Sequence, residues 1–266
     1  MTDSRLDNIK SIKHGKATYQ NLDETGMNES KEKTLKFFDK YINAGQNIAT
    51  SIVILENLLF KNNLKLFNKY SPAFTSVMID SLVGTCVIQL TAFFRNSDKL
   101  SLHKLFNYIR SNYNKIFTGK FQRVINYNDG TTEESIREYD KDNIFKTVED
   151  CENLIQANET LIEKFKIFRD EIYGHFSDGK QLENIENSLL LEEMKTLLNL
   201  AERIVNKIKT MYDGGYECFE PINAKDVNSI IHIIKTYDRN RNDIDEIIIE
   251  KDMRKIFGEK NDKNEG

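Results

Sequence analysis

The chain has 266 residues, 39% of them hydrophobic and 30% charged, with a formal net charge of −4. That is the balance of an ordinary globular protein of one large domain or two small ones, long enough to bury a core. The charge does not announce a nucleic-acid binder, and only two prolines and twelve glycines argue for long helices over many turns. The start, Met1-Thr2-Asp3-Ser4-Arg5, lacks the apolar run of a signal peptide. No stretch of the sequence reads as the ~18 consecutive apolar residues of a membrane span. Three cysteines, Cys86, Cys151 and Cys218, are odd in number and widely spaced. Cys86 and Cys151 fall in apolar helical patterns, as small core residues do in a reducing compartment. No Cys or His pair stands at ligand spacing, so neither a zinc site nor a cofactor is expected. The expected location is cytoplasmic, without a membrane partner.

Residues 1–28 are polar and aperiodic and are expected to form a mobile arm. From 31 to 61, Leu35, Phe38, Tyr41, Ile42, Ile48, Ile52, Leu55, Leu58 and Leu59 recur at helical steps, with Asn62-Asn63 as a candidate interruption. Ser71-Pro72 is a helix start, an N-cap followed by proline at the first helical position. The helix it opens, 72–95, is apolar on more than one side, which places it at the centre of the fold or in a subunit interface. Ser97 or Ser101 then caps a helix through Asn114 that carries Leu102, Leu105, Phe106 and Ile109.

Local charge departs from the average between Arg95 and Arg123. Arg95, Lys99, Lys104, Arg110, Lys115, Lys120 and Arg123 stand against a single acid, Asp98, with Phe106, Tyr108, Tyr113, Phe117 and Phe121 interleaved. Basic side chains neutralise phosphates and aromatic faces stack on unpaired bases, so Lys99, Lys104, Arg110, Lys115, Lys120 and Arg123 are candidate RNA contacts. The competing reading makes the aromatics core and the lysines a solvated face.

Residues 121–139 break the helical pattern, and Asp129-Gly130 suits the tight turn of a hairpin; an acidic loop is the alternative. From 143 to 174, Ile144, Val148, Cys151, Ile155, Ile162, Phe165 and Ile172 step by three and four, with a kink expected at Asn158-Glu159-Thr160. A helix over 187–212 ends at Asp213-Gly214-Gly215, a C-terminal glycine signal. Asn223 caps a shorter helix through Tyr237, and the tail frays after Ile247-Ile248-Ile249. The fold expected is an all-α, up-and-down helical bundle with a small β-hairpin or loop insertion near 121–139. Its divisions are an N-terminal arm (1–28), one helical domain (29–240) and a C-terminal extension (241–266).

One stretch carries chemistry: Phe168-Arg169-Asp170-Glu171-Ile172-Tyr173-Gly174-His175-Phe176-Ser177-Asp178. Helical positions three apart differ by about 60° around the axis, so Arg169 and His175 flank Ile172 on one face. A guanidinium on that face must be paired or must line a wet cleft. Histidine serves as acid or base near neutral pH, and arginine offers a fixed fork of donors to a phosphorane. Together they suffice for attack of an RNA 2′-hydroxyl on its neighbouring phosphate without metal, leaving a 2′,3′-cyclic phosphate. One histidine does both proton transfers with difficulty, which favours two copies of the motif in a symmetric dimer. The competing reading gives Arg169 a salt bridge to a neighbouring acid and makes His175 a helix C-terminal cation.

An arginine followed by Asp, a short hydrophobic run, a small residue, histidine and a polar tail resembles the signature of HEPN domains: here Arg169-Asp170, Ile172-Tyr173, Gly174, His175 and Ser177-Asp178. The run Leu90-Thr91-Ala92-Phe93-Phe94-Arg95-Asn96-Ser97-Asp98, followed by Leu100-Ser101-Leu102-His103-Lys104-Leu105, is similar to the abortive-infection AbiU-like subgroup, and the likeness covers roughly 35–210. The resemblance implies an all-α, commonly dimeric bundle and a metal-independent RNase of phage-defence or toxin–antitoxin type. It implies Arg169 and His175 as catalytic residues, Asp170 in support, RNA as substrate, a homodimer, and an antitoxin or regulatory partner. Some members carry, three places after the histidine, a tyrosine that a partner nucleotidyltransferase modifies; Asp178 stands there in this chain. Other members are non-catalytic binding modules, which is the rival expectation.

Overall fold

In a computed structural model the described residues are 15–21, 28–118, 120–127, 131–170, 187–223 and 225–241. Helix α1 (Glu29–Leu59) is the spine, burying Phe38, Tyr41, Ile48, Ile52 and Leu55 at the steps of three and four that the sequence shows. Asn28 starts it, accepting from the Lys31 amide at 2.9 Å and donating through Nδ2 to the Lys115 carbonyl at 2.8 Å. The break expected at Asn62-Asn63 falls instead at Phe60, whose ψ of 123° leaves helical space before α2 (Lys61–Tyr70). Asn63 sits inside α2 and donates back to the Asn57 carbonyl at 2.7 Å, bridging the kink.

Helix α3 (Pro72–Phe94) begins where Ser71-Pro72 predicts, but the Ser71 hydroxyl makes no capping hydrogen bond. The Ser71 carbonyl does the work, accepting from the Thr75 amide and hydroxyl at 3.0 and 2.8 Å. The second half of α3 is core, with Cys86, Val87, Leu90 and Phe93 fully buried, whereas Phe74, Val77 and Ile88 are exposed. By length and composition α3 would cross a membrane, contrary to the reading that no stretch reaches that; 44% of its most apolar window lies buried among the other helices. Apolar residues on every side produce both properties.

Helix α4 (Leu102–Ile116) follows a tight turn, with Ser101 in the cap position but its hydroxyl unpartnered; the Tyr41 hydroxyl donates to the Ser101 carbonyl at 2.9 Å. The hairpin expected near 121–139 is present as β2 (Lys120–Tyr127) and β3 (Thr132–Glu138), antiparallel with Lys120 opposite Glu138 and Asn126 opposite Thr132. Residues 15–21, assigned from sequence to an aperiodic arm, form β1 (Gly15–Asn21), paired antiparallel on the other edge of β2. A lone strand cannot satisfy its backbone, so periodicity within 15–21 did not reveal a partner one hundred residues away.

The next ladder is two helices, α5 (Lys141–Ala157) and α6 (Glu159–Phe168), broken at Asn158 (φ −112°, ψ 14°) as expected. Asp140 caps α5 by accepting from the amides of Asp142 and Asn143. Helix α7 (Asn187–Asp213) ends on Gly214 at φ 72°, where the glycine signal places it. Asn223, expected to cap the last helix, adopts φ 58° and accepts from the Asp226 amide; α8 (Lys225–Arg239) follows and seats Ile231 on Leu58 and Phe67. One continuous core joins α1 and α3 through α7, so the molecule is an all-α bundle carrying a three-stranded sheet between α4 and α5. The tail beyond 241 lies outside the described residues.

Candidate functional site

Two turns meet at one end of the bundle. Helix α3 stops when the Arg95 amide bonds the Thr91 carbonyl at 3.0 Å, and the chain doubles back to α4 through the Asp98 amide on Arg95 and the Ser101 amide on Asp98. Opposite, α6 hands over to a wider π-type turn at Arg169-Asp170, a distortion that often accompanies a functional side chain. Two ion pairs cross between them: Arg169 Nη1 to Asp98 Oδ2 at 2.9 Å, and Arg95 Nη1 to Asp170 Oδ1 at 3.6 Å. The first is three-quarters buried; the second is exposed and held more loosely. Asp170 therefore pairs with Arg95, not with its neighbour Arg169. His175 lies outside the described residues.

Beside these pairs opens a cleft of about 580 Å³, within the usual range for ligand pockets, walled by Arg95, Ser97, His103, Glu152, Gln156 and Lys166 among others. Lys166 precedes Arg169 by three positions, and Ser97 precedes Asp98, so the Arg169–Asp98 pair stands at the cleft rim. His103 projects from the first turn of α4, half-buried, with its ring edge-on to Phe106. Burial holds its imidazole below the ordinary histidine pKa; Glu152 opposes that shift and Lys166 adds to it. Sequence reading passed over His103 as a site residue. Its only signal was its place, between core Leu102 and core Leu105, where a polar side chain must find an opening.

The basic segment divides. Lys99 and Lys104 are exposed at the 95–101 turn, where Lys104 donates to the Ser97 carbonyl at 3.1 Å and Lys40 of α1 donates to the Lys99 carbonyl. Burial, then repulsion from Lys104 and Lys99, keeps Lys40 below the ordinary lysine range, so three cations crowd beside the cleft. Arg110 is committed: its two terminal nitrogens fork onto both Glu152 oxygens at 2.6 Å. Lys115 is exposed eleven residues beyond Lys104, about 16 Å along α4 at 1.5 Å per residue. Lys120 and Arg123 belong to β2, opposite Glu138 and Ser135. Of the interleaved aromatics, Phe106 and Phe117 are core, while Tyr108 and Tyr113 pack on Phe37 and Phe145; the structural reading holds for these four. Phe121 lies on β2.

Among the described residues no three His, Cys, Asp or Glu side chains gather as a metal site requires. A family model described as AbiU2, of the HEPN class, matches residues 46–230, which takes in both crossed ion pairs and the cleft. No curated protein and no solved structure matches the chain.

Proposed function

The chain belongs to the HEPN family AbiU2, and on that premise we propose that it is a metal-independent endoribonuclease of a phage-defence or toxin–antitoxin type system, acting in the cytoplasm. Arg169 and His175 are its catalytic residues. The 2′-hydroxyl of one ribose attacks the adjacent phosphate, the Arg169 fork neutralises the charge that develops on the non-bridging oxygens, and His175 transfers a proton. Asp170 supports the site through Arg95. The observation that carries this reading is the setting of Arg169: a guanidinium fixed in direction by Asp98 at the rim of an open cleft, not sealed in the core.

RNA approaches over the exposed Lys99 and Lys104, with Lys115, Lys120 and Arg123 extending the path; Arg110 joins it only by releasing Glu152. A homodimer fits the exposed stripe Phe74, Val77 and Ile88 on α3. Seven residues beyond Ile88 is Arg95, about 20° away around the helix, so a second copy on that stripe would bring its own turn toward the first. An antitoxin or other regulatory protein is the expected restraint.

The test is cleavage of single-stranded RNA by the full chain in EDTA, with mapping of product ends. Arg169→Ala and His175→Ala should each abolish cleavage with helix content unchanged, and the 5′ fragments should end in 2′,3′-cyclic phosphate. The rival reading, a non-catalytic interaction or RNA-binding module, is favoured by the Arg169–Asp98 pair itself, because a structural arginine also takes an acid partner. It predicts uncut RNA, and variants that lose stability in place of activity.

A further inference from the structure

We propose that His103 is a second catalytic residue of this ribonuclease, the base that takes the proton from the attacking 2′-hydroxyl, so that each chain supplies both proton carriers. The proposal rests on the ribonuclease reading above and changes its stoichiometry. Two copies of His175 are no longer needed at one phosphate.

Three observations lead to His103. It walls the same cleft as Arg95, Ser97 and Lys166, whose rim holds the Arg169 guanidinium. Its ring nitrogens take no hydrogen bond from the described residues, although it is half-buried and fixed edge-on against Phe106. A placed imidazole with both nitrogens free is available to a ligand in a way that Arg110 and Glu152, locked to each other, are not. Finally, the groups facing it, Glu152 from α5, Lys166 from α6 and Arg95 from the end of α3, include two cations. Burial and Lys166 keep the imidazole neutral near pH 7, the form a base requires.

The step balances as follows. The 2′-O–H bond breaks and its proton passes to the free nitrogen of His103. The 2′-oxygen forms a bond to phosphorus while the bond from phosphorus to the 5′-oxygen breaks. The protonated His175 imidazole gives its proton to that leaving oxygen. A cyclic phosphate and a 5′-hydroxyl result, and the two histidines exchange protons with water to reset.

The experiment compares the wild-type full chain with His103→Gln on a single-stranded RNA in EDTA across pH 5–9. Wild type should show a bell-shaped rate profile. His103→Gln should lose about 100-fold or more in rate and lose the acidic limb of the profile, with RNA affinity by gel shift unchanged. A His103→Gln enzyme with the wild-type rate and profile overturns the proposal and leaves the ribonuclease reading standing. Wild type that cuts no RNA overturns both. A second measurement needs no variant: ¹⁵N-histidine resonances of the wild-type chain are followed while a 2′-O-methyl oligoribonucleotide is added. The His103 imidazole should shift and its pKa should rise as phosphate enters the cleft; an unmoved resonance in a protein that binds the oligonucleotide also overturns the assignment.

Discussion

Arg169 and Asp98, 71 residues apart in the chain, meet at 2.9 Å with about a quarter of each side chain exposed. That burial lifts the pair above an ordinary surface bridge but keeps it short of a sealed one. Asp98→Asn removes the charge and keeps the shape, leaving a partly desolvated guanidinium without its counter-ion. The expected cost is about 1–2 kcal/mol in urea unfolding. In a double-mutant cycle with Arg169→Ala, about 1 kcal/mol of that should appear as coupling. Strict additivity would mean that the two side chains do not interact in solution.

The fork between Arg110 and Glu152 predicts a pH dependence. Arg110 lowers the Glu152 carboxyl from its ordinary 4.5, with burial opposing. A carboxyl whose pKa is lowered by folding stabilises the folded state above its unfolded pKa, and that contribution disappears as pH falls through the lowered folded value. Both side chains are about one-third exposed, so the pair contributes roughly 0.5–1 kcal/mol once solvent screening is counted. Glu152→Gln should therefore be less stable than wild type by that amount at pH 6 and should close the gap by pH 3. A gap that stays constant with pH would assign the loss to packing.

Thiol chemistry separates the three cysteines. Burial pushes Cys86 and Cys151 up to about 12, while Cys218 sits exposed in the loop after α7. The thiolate is the reactive form. Titration of native protein with a thiol reagent at pH 8 should label Cys218 alone, and the other two should react only at the rate of unfolding. Fast labelling of Cys151 would mean that α5 separates from α7.

These helices were legible because their signals are local: the Ser71-Pro72 start, the Asn158 break and the Gly214 stop each act through the backbone within a turn of themselves. The hairpin was legible in outline because Asp129-Gly130 is a turn signal flanked by strand formers. Strand β1 was not, because pairing of Gly15 with Tyr127 is written in neither segment alone. The candidate site divides the same way. The sequence placed Arg169 on a face that demanded a partner, but Asp98 as that partner, Asp170 on Arg95, and His103 across the cleft follow from how α3, α4 and α6 cross. Arg110 shows the converse: it reads as a free phosphate contact until Glu152, 42 residues on, is brought onto it.

The last prediction concerns how the chain after α7 is held to the spine. Asn206 and Glu217 exchange hydrogen bonds at 2.7 and 2.8 Å, and the Phe219 amide donates to Glu202. This places the Phe219 ring against Gly45 of α1 and beside Phe93. A Cβ at Gly45 would overlap that ring. In an unobstructed helix, alanine is better than glycine by about 1 kcal/mol. Here Gly45→Ala should instead destabilise by about 1–3 kcal/mol, because the ring must leave its seat. In a Phe219→Ala background the obstruction is gone, and the same substitution should become neutral or stabilising. Urea unfolding of the four proteins reads that reversal directly. A Gly45→Ala cost that persists without the Phe219 ring would place the constraint in the helix itself.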